Sequence, residues 1–455
     1  MKRILAPCLV TAACFAVTLL FQGNTLVMQE YEGLFLTTPD YLSWVKAQSF
    51  PLSQWLSDFL TQFYRLGWWG PVLVALQVLA AYFLGKGLWP KADVSGVAAA
   101  CAEWLLIAFS ATAKPGIVLL WGLLLFWGLS RVVRIRRPLP DKWNYSVATA
   151  LVAVCALVVA LSPGLSRRER WARVKRDVVL SRWDDVLRAA PPSAAQQDHE
   201  LTAFALLALG EQQRLGAEMF RYPVYEENDL DLCLEDDYTN SIFYRAFLYH
   251  NLGCYNESCH QLFQLATQQQ HGTSAMVLRS LVGEYFRLGN YVLAEKYCKI
   301  LETSSTHAAF VRTYRRFMAQ GAPAGPDTPA ERMQMDLITR NPAYNLIMLE
   351  DNDIAGPSTT DRLLATLLLQ RRLDVFFAFI TPELNREGFV LPRHYAEALQ
   401  VHYQENGLLF DTNLSFLPQQ QAEAFHDFVS GIDRLSPQEQ EARYGNTYWF
   451  YYYYR

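Results

Sequence analysis

The chain has 455 residues, 51% of them hydrophobic, 14% aromatic and 18% charged, with a formal net charge of −4. The charge is unevenly spread: residues 1–165 hold 12 Lys+Arg against 7 Asp+Glu, net +5, and residues 166–455 hold 28 against 37, net −9. An apolar first part and a more acidic body exclude an ordinary soluble protein, a disordered chain and a strongly basic nucleic-acid binder, and they name no reaction.

Five apolar stretches stand out, at 4–21, 68–89, 97–113, 116–133 and 147–161. A helix that crosses a membrane needs about 20 residues, with a lower limit of about 17. The first four are long enough; the fifth, with 15 residues, needs Trp143 and Tyr145 to extend it. Lys114-Pro115 splits the third from the fourth, which predicts a tight hairpin. The first stretch invites a secretory-signal reading, but Leu20-Phe21-Gln22-Gly23-Asn24 is a poor cleavage site, so an uncleaved anchor is expected. Lys2, Arg3, Lys86, Lys91, Arg131 and the basic cluster through Lys142 put the N-terminus inside and the loop at 22–67 outside. Arg167, Arg168, Arg170, Arg173, Lys175 and Arg176 then follow the fifth stretch, against the rule. Since the first helices dominate orientation, the body is expected outside the cytoplasm.

Within the loop, residues 51–63 place Leu52, Trp55, Leu56, Phe59, Leu60 and Phe63 on one helical face. Ser53, Gln54, Ser57, Asp58, Thr61 and Gln62 take the other, and Pro51 suits the first helical position. This predicts a helix lying in the membrane interface or packed on the bundle. Glu103 is the single acid inside a span and so a functional suspect, with a salt bridge to Lys86 or Lys114 as its structural reading.

Residues 166–455 are rich in helix formers and predict an all-α body, so the expected fold class is a transmembrane helix bundle followed by helical repeats. Two stretches align at an offset of 36: one runs through Ile242, Tyr249, Gly253, Tyr255 and Ser258, the other through Leu278, Tyr285, Gly289, Tyr291 and Ala294. Ser181-Arg182-Trp183 is a fainter third copy. A Gly or Ser closes one helix, an aromatic two residues later begins the packing of the next, and a small residue lets the pair approach. This pattern resembles the tetratricopeptide repeat. The expected organisation is a membrane domain at 1–165, repeats at 166–319, a Gly/Pro-rich linker at 320–330, and further helical pairs with an aromatic tail at 331–455.

Other chemistry is thin. The acidic run 226–237 lacks the spacing and central Gly of a calcium loop and reads as solvated. His250, Cys254, Cys259 and His260 match no zinc module, which leaves buried thiols or one disulfide among Cys233, Cys254, Cys259 and Cys298. No phosphate loop, Gly-x-Ser-x-Gly elbow or His-Glu-x-x-His occurs, and no cofactor is expected. The tail from Thr447 to Tyr454 is almost pure aromatic and too short to span; it is expected to fold back as a clasp on the preceding helices rather than to touch lipid.

Glu30, Glu32 and Asp40 follow the first span, an order that loosely resembles membrane glycosyltransferases using polyprenyl-phosphate sugars, which place acids there as base or metal ligand. Those enzymes have about twice as many spans. Over nearly its full length the chain resembles a bacterial membrane-protein family, domain of unknown function 6057. The likeness rests on Gln29 to Leu36, on Phe59 to Tyr64, on Ala217-Glu218-Met219-Phe220-Arg221-Tyr222-Pro223, on Pro392 to Leu399, and on the ending from Gly445 to Tyr452. The resemblance implies a bacterial inner-membrane protein with a helical-repeat domain and implies no activity. The expected role is a non-enzymatic scaffold whose partners are the lipid bilayer and a protein or peptide; the sugar-transferase reading is the rival.

Overall fold

The computed structural model describes residues 2–65, 67–88, 93–133, 144–231, 238–269, 272–304, 306–321, 341–351, 357–407 and 419–455. Expectations for Lys91, the basic cluster at 134–142, Trp143, residues 232–237 with Cys233, and the linker beyond Gly321 lie outside the described residues. Regular structure among them is helical, with no strand, so the chain is all-α.

Two compact units partition the chain. One comprises Met1–Arg176, Leu265–Phe286 and Asn290–Ala322; the other comprises Asp177–Gln264, Arg287–Gly289 and Pro323–Arg455. The division departs from the contiguous domains read from sequence, because later segments are bonded into the first part. The N–H of Ala275 donates to the Gly33 carbonyl at 2.9 Å, and Arg65 Nη2 donates to the Thr306 carbonyl at 3.1 Å.

The first unit opens with α1 (Lys2–Phe21), α2 (Gly23–Glu32), α3 (Pro39–Lys46), α4 (Pro51–Thr61), α5 (Trp69–Leu88), α6 (Asp93–Phe109), α7 (Lys114–Val133), α8 (Asn144–Leu161) and α9 (Pro163–Val179). Each of the five apolar stretches forms a helix over most of its described length. Helices α1, α5, α6 and α8 pack on one another, and α7 packs on α5 and α6. Their shared core includes Val10, Cys14, Val78, Ala100, Trp104 and Val152. The opposite faces remain apolar: Leu20, Phe83, Leu125, Val154, Leu157 and Leu161 are each more than half exposed. By length and composition one helix, Trp69–Leu88, is able to cross a membrane, or up to three if each bent pair is one span: Leu5–Phe21 with Gly23–Glu32, bent by 74°, and Ser146–Leu161 with Pro163–Val179, bent by 52°.

Glu103 does not make the expected salt bridge. Lys86 pairs with Asp93, and Lys114 bonds Ser49 at 3.4 Å. Asp93 opens α6 within reach of the end of α5, whereas Glu103 lies about 15 Å further along the helix. It is fully buried and its carboxylate has no hydrogen-bond partner among the described residues. The basic segment after α8 is likewise engaged. Arg168 donates to the Ser110 carbonyl at 2.7 Å, and Arg176 bonds the Asn24 side chain.

Five helix-to-helix turns share one geometry. Ser181, Gln213, Gly253, Gly289 and Arg371 all have positive φ, between 52° and 76°. In each, the next N–H bonds a carbonyl five residues back: Arg182 to Asp177, Arg214 to Leu209, Cys254 to Tyr249, Asn290 to Tyr285 and Arg372 to Leu367, at 2.8–2.9 Å. This is the Schellman closure, which satisfies a helix's last carbonyls and needs a left-handed residue. A new helix begins two residues after each: at Trp183, Leu215, Tyr255, Tyr291 and Leu373. The first four of these residues stand 32, 40 and 36 apart, so the hairpins recur without a fixed period.

In the second unit the aromatic tail forms the helix Tyr448–Tyr454, with Thr447 capping it by accepting from Phe450 N–H at 3.2 Å. Tyr448, Trp449, Phe450 and Tyr451 are buried. Trp449 Nε1 donates to Gln400 at 3.1 Å and its ring meets Phe425 and Phe428. The Tyr448 N–H donates to Glu397 at 2.8 Å and Tyr451 Oη to the Leu369 carbonyl at 2.8 Å. The segment thus folds back on the preceding helices, as its chemistry requires.

Candidate functional site

The first unit holds a cavity of about 120 Å3 whose lining includes Glu30, Glu32, Ser57, Asp58, Gln269 and His307. Local rules bring these residues together. Helix α2 turns away from α1 by 74°, and Glu169 of α9 caps its start. The Glu169 carboxylate accepts from the N–H and side chain of Asn24 at 2.9 and 2.7 Å, and from the N–H and hydroxyl of Thr25 at 2.8 and 2.7 Å. A carboxylate at a helix N-terminus satisfies otherwise orphaned N–H groups and meets the positive end of the helix dipole. Gly33 ends α2, and a Cβ there would lie 2.7 Å from the Gln29 carbonyl, so the turn admits no side chain. That same Gly33 receives Ala275, which brings the helix Ala275–Arg287 and, beyond it, His307 to the site.

Helix α4 is inverted relative to water. Its buried residues are Ser53, Gln54, Ser57 and Thr61, while Leu52 is 59% and the neighbouring Phe50 62% exposed. Trp55 and Phe59 pack on Phe35. Asp58 accepts from Tyr41 Oη at 2.8 Å and from Gln54 Nε2 at 2.9 Å.

Glu30 is the electrostatic centre. It is 3% exposed, and neither carboxylate oxygen has a hydrogen-bond partner among the described residues. Arg65 Nε lies 3.7 Å and His307 Nε2 3.8 Å from Oε1, both too long for a hydrogen bond. Burial outweighs the nearby Arg65 and Arg279 charges and pushes the carboxyl up to about 7. Burial, with the same two guanidinium groups, holds His307 down at about 3, so its imidazole is neutral near pH 7. Burial also raises Asp58 to about 6, against the hydrogen bonds from Tyr41 and Gln54 and the charge of Lys114. Arg279, its guanidinium 4.5 Å above the Phe310 ring, is lowered by burial and then by Arg65. A carboxyl that titrates near neutrality beside an uncharged imidazole is suited to accept or release a proton.

Of the three acids singled out in sequence, the structure places Glu30 in the cavity wall, Glu32 at its exposed rim and Asp40 outside it. Asp40 sits exposed in the first turn of α3. Sequence reasoning missed Arg65, Arg279 and His307, which lie far from Glu30 along the chain, and it read Ser57 and Asp58 only as the polar face of an interfacial or bundle-packed helix, with no part in a site. One signal was present: that stripe of α4 contains no Lys, Arg or Glu, the residues that mark a face turned to water. The repeat-packing residues are placed elsewhere. Tyr255 is buried under Arg287, which bonds its hydroxyl at 3.3 Å; Tyr285 stacks on Tyr297, Tyr291 on Phe286, and Ala294 is fully buried. Tyr249 and Gly253 build their turn, and none of these residues lines the Glu30 cavity. Cys8, Cys14, Cys101, Cys155 and Cys298 are free thiols, and no three His, Cys, Asp or Glu side chains among the described residues converge to hold a metal ion.

A family model described as a family of unknown function, DUF6057, matches residues 1–175 and 117–455. No curated protein and no solved structure matches the chain.

Proposed function

The chain belongs to DUF6057, a family whose description carries no activity, and we propose that it is a multi-span membrane protein whose apolar bundle anchors a helical, protein- or peptide-binding body. One observation carries the membrane reading: the reversed polarity of α4. An amphipathic helix in water turns its polar stripe outward; α4 turns it inward and leaves Phe50 and Leu52 outside, with Trp68 and Trp69 exposed just beyond it. That suits a helix at the headgroup level, where aromatic residues collect. The exposed Leu, Phe and Val side chains of α1, α5, α7 and α8 add further apolar surface. On this reading those four helices and α6 are five spans of the bacterial inner membrane, and the body faces away from the cytoplasm. The Schellman hairpins support the tetratricopeptide-like scaffold role, since stacked helix pairs offer extended concave surfaces to partners.

The test is fractionation of bacterial membranes with alkaline carbonate, combined with a reporter fused after Arg455 that works only in the cytoplasm. The expected result is a chain retained in the membrane pellet with a silent reporter. Release by carbonate ends the membrane reading, and an active reporter reverses the orientation.

The burial of Glu30 favours a second reading, a glycosyltransferase-like protein using a polyprenyl-phosphate sugar, with Glu30 as the proton acceptor. Glu30→Gln then abolishes function in cells at unchanged protein level, while Asp40→Asn does not. A scaffold tolerates both.

A further inference from the structure

The Glu30 cavity carries polar atoms that the fold leaves without partners. Both Glu30 oxygens, Ser57 Oγ and His307 Nδ1 have none among the described residues, and all three side chains are more than nine-tenths buried. Buried polar groups are costly unless hydrogen-bonded, so their convergence on one cavity points to something that supplies the bonds.

The wall chemistry restricts what that is. Among the described residues no Lys or Arg lines the cavity, so an anion meets carboxylates without a facing cation. A free cation competes with charges that the fold already sets near each acid: Arg65 and Arg279 near Glu30, Lys114 near Asp58, and Arg168 near Glu32. A metal ion lacks a converging set of three ligands among the described residues. What remains is a neutral, donor-rich molecule. Carboxylate, amide and hydroxyl groups receive its hydrogens, and Phe35, also in the wall, offers an apolar face. Hydroxyl groups alternating with CH faces are the chemistry of a sugar ring. The volume of about 120 Å3 is well above the ~10–15 Å3 that one water requires, room for one edge of a ring whose remainder emerges past the exposed Glu32.

We propose that the Glu30 cavity binds a sugar, free or carried on a lipid phosphate, through hydrogen bonds donated by its hydroxyls to Glu30 and Ser57. This deepens the second reading above, but it concerns binding alone and is measured without turnover, so the two fail separately.

The full chain in lipid nanodiscs is titrated with glucose, galactose, mannose and N-acetylglucosamine by saturation-transfer NMR. A second arm places polyprenyl-phosphate glucose in the nanodisc and reads its retention by native mass spectrometry. At least one sugar is expected to bind saturably, and the arm that responds identifies the source. Glu30→Gln is expected to weaken binding at least tenfold and Ser57→Ala several-fold, with Asp40→Asn unchanged. If Glu30→Gln does not fold, Ser57→Ala and Gln269→Ala decide. The proposal is overturned if no sugar binds in either arm. It is equally overturned if binding survives the folded cavity variants intact, or if inorganic phosphate or spermidine binds the cavity in place of every sugar. Transfer activity without sugar binding at Glu30 removes the site and keeps the enzyme; binding without transfer does the reverse.

Discussion

Both units bury polar side chains, but they treat them differently. In the second, Arg362 donates to the Leu230 carbonyl, Asp361 accepts from Leu215 N–H and Tyr395 Oη, Glu397 accepts from Tyr448 N–H and Gln400 from Trp449. Each ties one helix to another. In the first, Glu30, Ser57 and Glu103 are as deeply buried without such partners among the described residues, while Leu125, Leu157 and Leu161 lie exposed. The named side chains of the second unit fasten helix to helix, although Thr202 Oγ1 there is also without a partner among the described residues. On the proposed reading, the polar groups of the first unit face a ligand and its apolar surface faces lipid.

The sharpest way to break this comparison is Trp449→Ala. Emptying an aromatic site buried against Phe425 and Phe428 is expected to cost about 3–5 kcal/mol. Hydrogen exchange on the full chain should show loss of protection in Arg393–Glu405 and Gln419–Gly431, with α5 and α6 unchanged. Equal loss of protection in α5 and α6 breaks the comparison.

Next is a matched pair of surface changes. Leu125 is 68% and Val390 84% exposed. If a bilayer surrounds the first unit, Leu125→Arg costs about 2.5–3.5 kcal/mol of insertion, seen as lost membrane-integrated protein. Val390→Arg in water stays within about 0.5 kcal/mol. Equal tolerance of the two removes the membrane from the first unit.

A smaller effect is expected from pH. Glu30 is raised from 4.5 to about 7, so the folded state holds more protons than the unfolded one in that window, and stability from this group falls as pH rises through it. His307 is depressed from 6.5 to about 3, so its contribution is present above 6.5 and is lost as pH falls. The two oppose each other between pH 4.5 and 6.5. Glu30→Gln should therefore steepen the loss of melting temperature on acidification, and His307→Gln should turn acidification into a gain. Parallel profiles for all three proteins exclude both as buried titrating groups.

The smallest effect tests the hairpin turns. Gly289 has φ +71° with open space around it, so Gly289→Ala should lose about 1 kcal/mol through backbone strain alone. Gln213, exposed at φ 55°, carries that strain already. Gln213→Gly should gain under about 1 kcal/mol, read as a shift in the melting temperature of the full chain.

These turns also mark what the sequence made legible. Gly253 and Gly289 announce a left-handed helix end because glycine tolerates it; Gln213 and Arg371 adopt the same conformation with nothing in their chemistry to advertise it, and Ser181 gave only a faint trace. The all-helical class, the apolar stretches and the folded-back tail were readable because hydrophobic spacing and aromatic content decide them locally. In the site, Glu30 was readable as an acid just after an apolar helix. His307, Arg65 and Arg279 were not, because their approach depends on tertiary bonds such as Ala275 to Gly33, which no local pattern encodes. Glu103 was paired wrongly for the opposite reason: a nearby lysine looked available, and Asp93 lay closer to it.

The bond from Arg65 to the Thr306 carbonyl joins residues 241 apart, with residues 177–264 of the other unit made between them. At the usual pace of about 5–20 residues per second, a ribosome needs roughly 10–50 seconds to pass from one end of that bond to the other. For that interval Glu30 and Arg65 exist without His307, and for most of it without Arg279, and the wall of the cavity stands unfinished. A nascent chain thus cannot finish its earliest-made part until His307 is made, and for that interval the half-built wall is open to whatever holds newly made helices.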